Sequence, residues 1–305
     1  MSVTSRSRPG RRAATRKWAP ERSGPACGRR VVSSAQILQN ARRVPPPANP
    51  GAAVITYDYP LNERIRTMLR LEDLFDRARH FIERVDPLDH HVALLTLFEI
   101  LEVARRADLK SDLLQELERQ RQVLLSFRDN PGISEEALAS VLYDIEHTSA
   151  ALLGMVGKVG QHMRDNEWLM SIKQRAAIPG GLCEFDLPSY HYWLHRPVEE
   201  RTEQLMSWIS PLYPLRDGSA IILRILRESG KPQSLTAAVG IFQQMLGGKT
   251  AQMLRVRLSS DWACVPEISA NKYVLNIRFL GLTAESVSPR PVESDIDFEL
   301  TFCNL

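Results

Sequence analysis

The stretch Ile178-Pro-Gly-Gly-Leu-Cys-Glu-Phe-Asp-Leu-Pro-Ser-Tyr-His-Tyr-Trp-Leu-His195 marks a change of pattern in this chain of 305 residues. The Pro-Gly-Gly triplet near its start is typical of the end of a helix. Residues 183–187 then alternate apolar and acidic side chains, which is the spacing of a β-strand. We therefore predict that residues 178–196 form a first β excursion between two helical parts of the chain.

The region before this stretch has the three-and-four spacing of amphipathic helices. In the first predicted helix, residues 61–85, the side chains of Ile65, Met68 and Phe75 belong to one apolar stripe. Similar stripes follow as far as residue 177. The pattern returns after Pro197, which stands where a first-turn proline belongs. We predict a helical-bundle domain over residues 54–177 that is completed by residues 197–230.

The C-terminal part of the chain has the period of two that half-buried strands require. Apolar and polar side chains alternate in residues 254–258, 272–279 and 296–302. Such strands suit an antiparallel sheet with one face in water. We predict a main β domain over residues 231–305. The expected fold class is α+β, with an N-terminal helical-bundle domain, a segregated and mainly antiparallel β-sheet domain, and a chain that crosses between them.

Residues 1–53 differ from the rest in charge and in apolar content. They contain eleven of the 39 Lys and Arg residues and one of the 36 Asp and Glu residues, so the other 252 residues carry 28 basic and 35 acidic side chains. Few bulky apolar groups are present to offset the chain entropy of folding. We predict a disordered basic extension. An organellar transit peptide has a similar composition, and a start codon assigned too far upstream would also account for it.

The cysteines and the apolar runs exclude several classes of protein. Cys27, Cys183, Cys264 and Cys303 lie far apart without a Cys-x-x-Cys pair, which argues against a disulfide framework and a structural zinc site. No apolar run approaches the roughly 18–20 residues that a membrane span needs. We expect a protein of the cytoplasm with no integral membrane segment.

No catalytic or cofactor motif is complete. Residues 247–250 resemble the end of a phosphate-binding loop, but that loop needs another glycine five residues before Gly248, and this chain has none there. His191 and His195, with two acids nearby, suggest metal ligands, yet in an extended segment this spacing holds the two side chains apart. We therefore predict no enzymatic activity, no metal, no cofactor and no small-molecule substrate.

Basic side chains indicate two kinds of binding. The predicted extension and the Arg-rich face of the first helix could contact nucleic acid through phosphates, and this is the alternative function. Against it, the rest of the chain is net acidic, and the helix face could pair with its own acids. On the predicted sheet, Lys272 and Arg278 share one strand face, and Arg255 and Arg257 share another. Such faces suit an extended peptide with a carboxylate, although they could equally serve to keep an edge soluble.

Four segments resemble the ZapD family of bacterial division-ring proteins. They are Tyr59-Pro-Leu-Asn-Glu-Arg-Ile-Arg-Thr-Met-Leu-Arg-Leu-Glu72, Leu113-Leu-Gln-Glu-Leu-Glu-Arg-Gln120, Gln174-Arg-Ala-Ala-Ile-Pro-Gly-Gly-Leu-Cys-Glu-Phe-Asp-Leu-Pro188 and Trp193-Leu-His195. The resemblance extends from about Val54 to Cys303 without large gaps. Residues 1–53 fall outside it.

The resemblance implies a non-enzymatic partner of the tubulin-like division GTPase FtsZ. Family members bind the C-terminal tail of FtsZ as homodimers, crosslink and bundle its filaments, and act in the cytoplasm at mid-cell. Carried onto this chain, the resemblance implies tail contacts by Arg106, Lys272 and Arg278. Relatives have a further basic residue where this chain has Val274, which implies a less charged groove. Arg70 and His191 are the implied dimer contacts.

Overall fold

The computed structural model describes residues 53–105, 108–128, 134–248, 250–281 and 290–305. All of them fall within the unit Ala48–Leu305. The predicted extension, apart from its last residue, and the site residue Arg106 lie outside the described residues.

The helices follow one another between a first strand and the remaining strands. They are α1 (Glu63–Ile82), α2 (Pro87–Ala104), α3 (Leu109–Leu125), α4 (Glu135–Gly154), α5 (Gln161–Arg164), α6 (Glu167–Ala176), α7 (Pro188–Leu194), α8 (Val198–Ile209) and α9 (Tyr213–Glu228). The strands are β1 (Val54–Pro60), β2 (Gln233–Ala237), β3 (Ile241–Met245), β4 (Met253–Ser259), β5 (Cys264–Ala270), β6 (Val274–Gly281), β7 (Arg290–Pro291) and β8 (Ile296–Cys303).

Side-chain caps set the starts of several helices. The side chains of Asn62, Asp86 and Ser134 accept hydrogen bonds from backbone N–H groups in the first turns of α1, α2 and α4. Asn166 does the same for α6. The apolar periodicity alone predicts one helix over residues 161–177. The Asn166 cap explains why there are two helices instead, since a capping residue has extended rather than helical backbone angles.

The strands form two antiparallel sheets. Sheet A has the order β1-β4-β8-β2, and sheet B has the order β3-β6-β5, with β7 pairing with one end of β6. The predicted inward residues of β4, β6 and β8 are largely buried in one apolar core with members from both sheets. Tyr273 is an exception at 62% exposed, because it precedes β6. The α+β class with an antiparallel β part after the helices is confirmed.

Residues 54–60 correct the predicted domain boundary. Residues 54–60 were expected in the helical domain, but they form β1, which pairs along its whole length with β4 from Val54 opposite Ser259 to Pro60 opposite Met253. Their β-branched and aromatic composition favours a strand, and Tyr57 and Tyr59 pack against the core of the sheets. The described part of the chain therefore passes from sheet A into the helices and then returns to the sheets.

The predicted β excursion at residues 178–196 is wrong. Its first half is a succession of turns closed by short-range bonds, such as those from Gly181 N to Ile178 O and from Cys183 N to Gly180 O, and its second half is α7. Gly180 has a φ of 71°, which favours glycine. The alternation does not reflect burial, because Phe185 is 79% exposed. The stretch therefore consists of turns followed by α7, and it connects α6 to α8.

A hairpin turn joins the two sheets between β2 and β3. Val239 and Gly240, its two central residues, have φ values of 51° and 68°. Two left-handed residues in succession, with a bridge between Ala238 and Ile241, are typical of a type I′ turn. Valine is poorly suited to this conformation, so the turn contains backbone strain at Val239, whose side chain is exposed.

Four charged side chains join the helices to sheet A. Arg227 on α9 donates to both carboxylate oxygens of Glu72 on α1, at 2.7 and 2.5 Å, and to Asp58 on β1 at 3.0 Å. Arg255 on β4 donates to Asp58 at 2.8 and 3.0 Å. Burial alone would raise the pKa of Asp58, but the bonds and charges of Arg255 and Arg227 outweigh it and lower that pKa. We call these four residues the Asp58 network.

A second buried group fixes the connection between α7 and α8. The guanidinium group of Arg201 donates to Val85 O at 2.7 Å, to Leu194 O at 3.0 Å and to Arg196 O at 2.5 Å. It also donates to Nδ1 of the buried His90 at 3.0 Å. Nδ1 must then be unprotonated, and Nε2–H of His90 donates to a backbone carbonyl of the α1–α2 connection. Arg201 thus ties α7 and α8 to the other helices.

The first prediction concerns the Asp58 network. Asp58→Asn keeps the side-chain size but removes the charge that two half-buried guanidinium groups share, so we expect unfolding to become easier by about 2–3 kcal/mol. Chemical denaturation at pH 7 measures the change. The matched control is Glu299→Gln, which breaks the more exposed Arg257–Glu299 pair of the same sheet and should cost about 1 kcal/mol or less. Equal effects of the two substitutions would contradict a central role for Asp58.

The second prediction concerns His90. Burial lowers the pKa of its imidazole below the ordinary 6.5, and the charge of Arg201 lowers it further. As pH falls, the unfolded state takes up the proton first. The stability that neutral His90 contributes is therefore complete above about pH 6.5 and is lost as pH falls from there through the lowered pKa of the folded state.

Denaturation at a series of pH values between about 8 and 5 tests this expectation. His90→Asn offers an oxygen to Arg201 but does not titrate, so stability should fall less steeply with decreasing pH in the variant than in the parent. Burial lowers the pKa of His91 as well, and its contribution is common to both proteins. Identical pH dependence in the two proteins would refute the assignment to His90.

Candidate functional site

Lys272 lies in a turn ahead of β6. The side chain of Asn271 accepts from the N–H groups of Tyr273 and Val274, at 2.8 and 2.9 Å, which closes the turn. The ammonium group of Lys272 is 4.8 Å from the centre of the Tyr273 ring, a cation–π distance. The prediction that Lys272 shares a strand face with Arg278 is therefore wrong in detail, because the Asn271 turn takes Lys272 out of the strand.

The same turn borders a pocket of about 380 Å³ at one end of the two sheets. Its apolar lining comes mainly from Leu61, Leu246, Leu254 and Phe302. Lys272 contributes a positive charge, and Gly248, Thr250 and Ala251 contribute part of the lining. The pocket, which we call the inter-sheet pocket, can take an apolar side chain beside an acidic group.

Arg278 lies on the outer face of sheet B. It is exposed, and the register places it between Ile241 of β3 and Glu267 of β5. Within the described part of the chain, no carboxylate approaches either Arg278 or Lys272 to the 4.0 Å of an ion pair. Both cations can therefore form an ion pair with an acidic partner, because no ion pair within the described residues has to break first.

The spacing of the two cations limits what they can bind together. Arg278 follows Lys272 by six positions, which corresponds to roughly 20 Å of extended chain. One carboxylate cannot contact both. An extended peptide of about six residues has the length to reach from one to the other.

The other predicted basic face is neutralised. Arg255 belongs to the Asp58 network, and Arg257 forms a 2.8 Å ion pair with Glu299 of β8. Asp297 lies on the same strand as Glu299 and accepts from Thr236 of β2. Around Arg257 and Glu299, the outer face of sheet A therefore presents paired charges and a further acid rather than a basic surface.

The Arg-rich face of α1 is also largely neutralised. Arg64 pairs with Asp112 and Glu116 of α3, and further ion pairs of this face are Arg66–Glu63, Arg77–Asp73, Arg77–Glu99 and Arg79–Asp76. These pairs reduce the positive potential that phosphate binding requires. They weaken the nucleic-acid alternative for the described part of the protein.

Arg70 and His191, the proposed dimer contacts, lie on different helices. Arg70 on α1 borders an open cleft of about 550 Å³ between α1, α2 and α6 that has an apolar floor of Leu74, Phe98 and Val103. No ion-pair partner of Arg70 is found among the described residues. His191 on α7 is exposed, and its ring is 4.4 Å from that of His195.

The histidine pair is organised by hydrogen bonding. Nδ1–H of His195 donates to His191 O at 2.8 Å, and Nε2 of His191 lies 3.7 Å from the carboxylate of Glu184. Across the described ranges, no three His, Cys, Asp or Glu side chains are grouped as metal ligands would be.

The segment that resembles the end of a phosphate-binding loop is a turn after β3. Gly247 and Gly248 both have positive φ values in this turn, whereas Lys249 lies outside the described residues.

Sequence reasoning missed the inter-sheet pocket. Its walls come from residues as far apart as Leu61 and Phe302, and no local pattern connects them. Asn271 was a usable signal, because asparagine ahead of a strand favours a turn, and it would have placed Lys272 outside β6.

Comparison with known proteins identifies the family. The profile of the ZapD family, described as a cell division protein, matches residues 69–278, well over half of the chain. The chain belongs to the ZapD family. Relatives named Cell division protein ZapD include those of Dechloromonas aromatica (strain RCB), Azoarcus sp. (strain BH72) and Aromatoleum aromaticum (strain DSM 19018 / LMG 30748 / EbN1).

These ZapD relatives are similar to the chain over 252 residues, with identities of 62%, 63% and 60% respectively. Each alignment covers 83% of this chain, and 100%, 100% and 98% of the respective relative. The findings support a role in cell division. None of the helices in the described ranges combines the length and the apolar character needed to cross a membrane.

Proposed function

We propose that this ZapD-family protein binds the C-terminal tail of FtsZ and, as a homodimer, crosslinks FtsZ filaments at the division site in the cytoplasm, without enzymatic activity. One observation carries the proposal: Lys272, just ahead of β6, and Arg278, within β6, have no acidic ion-pair partner among the described residues, and Lys272 borders an apolar pocket. An extended tail with an acidic residue and an apolar anchor complements this arrangement.

The proposed tail contacts are Lys272 and Arg278, with Arg106 as a contribution that lies outside the described residues. Val274, where the family resemblance implies a basic residue in other members, stands between them at the start of β6 and is opposite Met245. An aliphatic side chain there makes the strand face less charged, so we expect apolar contact to contribute more of the tail affinity.

Crosslinking requires two tails per particle. In a two-fold symmetric dimer the tail site occurs twice, and binding of the second tail benefits from the high effective concentration that the first tail creates. Weak single contacts can then hold two filaments together. We propose that Arg70 and His191 contribute to the dimer contact.

The third prediction tests the tail site. The double substitution Lys272→Glu with Arg278→Glu should weaken binding of a fluorescent FtsZ tail peptide at least about tenfold, which corresponds to about 1.4 kcal/mol or more. Fluorescence anisotropy at low and high salt measures the affinity, and the parent should lose affinity with added salt. Arg257→Ala, which removes an exposed cation already paired with Glu299, is the control and should bind as the parent does.

Filament assays complete this test. Co-sedimentation with FtsZ filaments should disappear when the FtsZ tail is deleted. Unchanged co-sedimentation with tail-less filaments would refute the proposal. Loss of dimerisation in the Lys272/Arg278 variant would indicate a folding defect, which thermal unfolding of the variant would reveal.

The fourth prediction tests the dimer contact. Arg70→Glu combined with His191→Glu should shift the mass measured by light scattering from dimer toward monomer, because charges in an interface are opposed by their symmetry-related copies or left without partners. Peptide affinity per protomer should stay the same, while filament bundling should fall. A dimer of unchanged stability would exclude these two residues from the interface.

A further inference from the structure

β3 is an open sheet edge. It pairs with β6 on one side, and on its other side the described residues provide no strand. Phe279 N donates to Gly240 O at 2.8 Å and Leu246 N donates to Tyr273 O at 2.7 Å. Since backbone groups alternate in direction along a strand, even-numbered residues of β3 face β6. The N–H and C=O groups of Gln243 and Met245 therefore point away from the sheet.

This edge lacks the features that normally prevent strand pairing. Its sequence Ile241-Phe-Gln-Gln-Met245 contains no proline and no charge, and the side chains of Ile241 and Met245 are 52% and 71% exposed. The opposite edge of sheet B, β5, carries Pro266 and Glu267. An unprotected edge with exposed apolar side chains is a surface on which another extended segment can pair.

Charge distinguishes β3 from β2, which is one of the two edge strands of sheet A. β2 is also uncharged, but its neighbour β8 bears Asp297 and Glu299. The neighbour of β3 is β6, which bears Arg278. An acidic segment is therefore favoured at β3 and disfavoured at β2.

The register connects this edge with Lys272 and Arg278, the two cations that have no ion-pair partner among the described residues. Ile241, at the start of β3, is opposite Arg278, and Met245, at its end, is opposite Val274. The next residue, Leu246, lines the inter-sheet pocket together with Lys272. A strand added to β3 would run from the level of Arg278 to the pocket. It would lie two strand spacings, about 10 Å, from the β6 backbone, which an arginine and a carboxylate side chain span together.

We propose that the FtsZ tail binds by strand addition to the free edge of β3, with its backbone paired to Gln243 and Met245 and its ends near Arg278 and the inter-sheet pocket. This inference rests on the proposed function and adds the binding mode to it. Backbone hydrogen bonds to the edge supply affinity that the side chains alone do not, and the alternate side chains of the tail give specificity.

The fifth prediction tests strand addition by modifying the peptide and leaving the full-length protein unchanged. Two FtsZ tail peptides are N-methylated, one at the odd and one at the even positions of the extended core. In strand addition only alternate N–H groups face β3, so one peptide should lose at least about tenfold in affinity and the other should bind nearly as the unmodified peptide does.

A matched pair of protein variants tests the same bond from the other side. Gln243→Pro removes an N–H that points away from β6, so the β3–β6 pairing is kept, and it should weaken binding of the unmodified peptide at least about tenfold. Gln243→Ala changes the side chain but keeps the N–H, and it should bind as the parent does. If Gln243→Pro does not fold, the two methylated peptides decide the question with the parent protein.

The outcomes separate the two proposals. If the unmodified peptide does not bind the parent protein, the proposed function itself fails. If it binds but both methylated peptides have the same affinity as each other, or if Gln243→Pro binds as Gln243→Ala does, strand addition is overturned while tail binding stands. A difference between the two methylated peptides together with a loss in Gln243→Pro supports strand addition.

Discussion

The Asp58 network is the constraint on which the arrangement of helices and sheets depends. Its four charges come from β1, β4, α1 and α9, and they satisfy one another only when sheet A is docked on the helices. A half-buried charge without a partner is unfavourable. Arrangements in which sheet A docks differently on the helices would leave such charges unpaired, so the network disfavours those arrangements more than it stabilises the observed one. Burial of Met253 and Cys303 from sheet A in the core of the helices provides the apolar part of the same contact.

Local patterns predict much of the fold because they report which side of an element is apolar. The period of 3.6 placed α1 within a few residues of its observed bounds, and alternation placed β4, β6 and β8. Local patterns fail where the segment that packs against an element is distant in the sequence, or where no such segment exists. β1 is defined by pairing with β4, about 200 positions later in the chain. In residues 183–187 alternation occurs without any sheet to cover it, because the flanking glycines commit the backbone to turns.

The candidate site was predictable in its residue types more than in its geometry. Basic residues near β6 could be found from the sequence, but which cations remain without partners is a property of the folded chain. Arg255 and Arg257 look equivalent to Arg278 in the sequence, yet both are held in ion pairs by acids from other strands. The inter-sheet pocket and the open β3 edge arise only when distant segments assemble, so no local window contains them.

The Asp58 network joins the helices, which carry the proposed dimer contacts, to the strands, which carry the proposed tail contacts. The proposed dimer contacts lie on α1 and α7, whereas the proposed tail contacts lie along β3 and β6. The distance and orientation between two tail sites in a dimer would then depend on how rigidly each sheet is attached to its helices. Filament crosslinking with a defined spacing needs such rigidity, because effective concentration falls when the geometry between two sites varies. A half-buried, mutually bonded set of charges meets this need better than an apolar contact alone, since hydrogen-bonded ion pairs have direction and apolar contact has none.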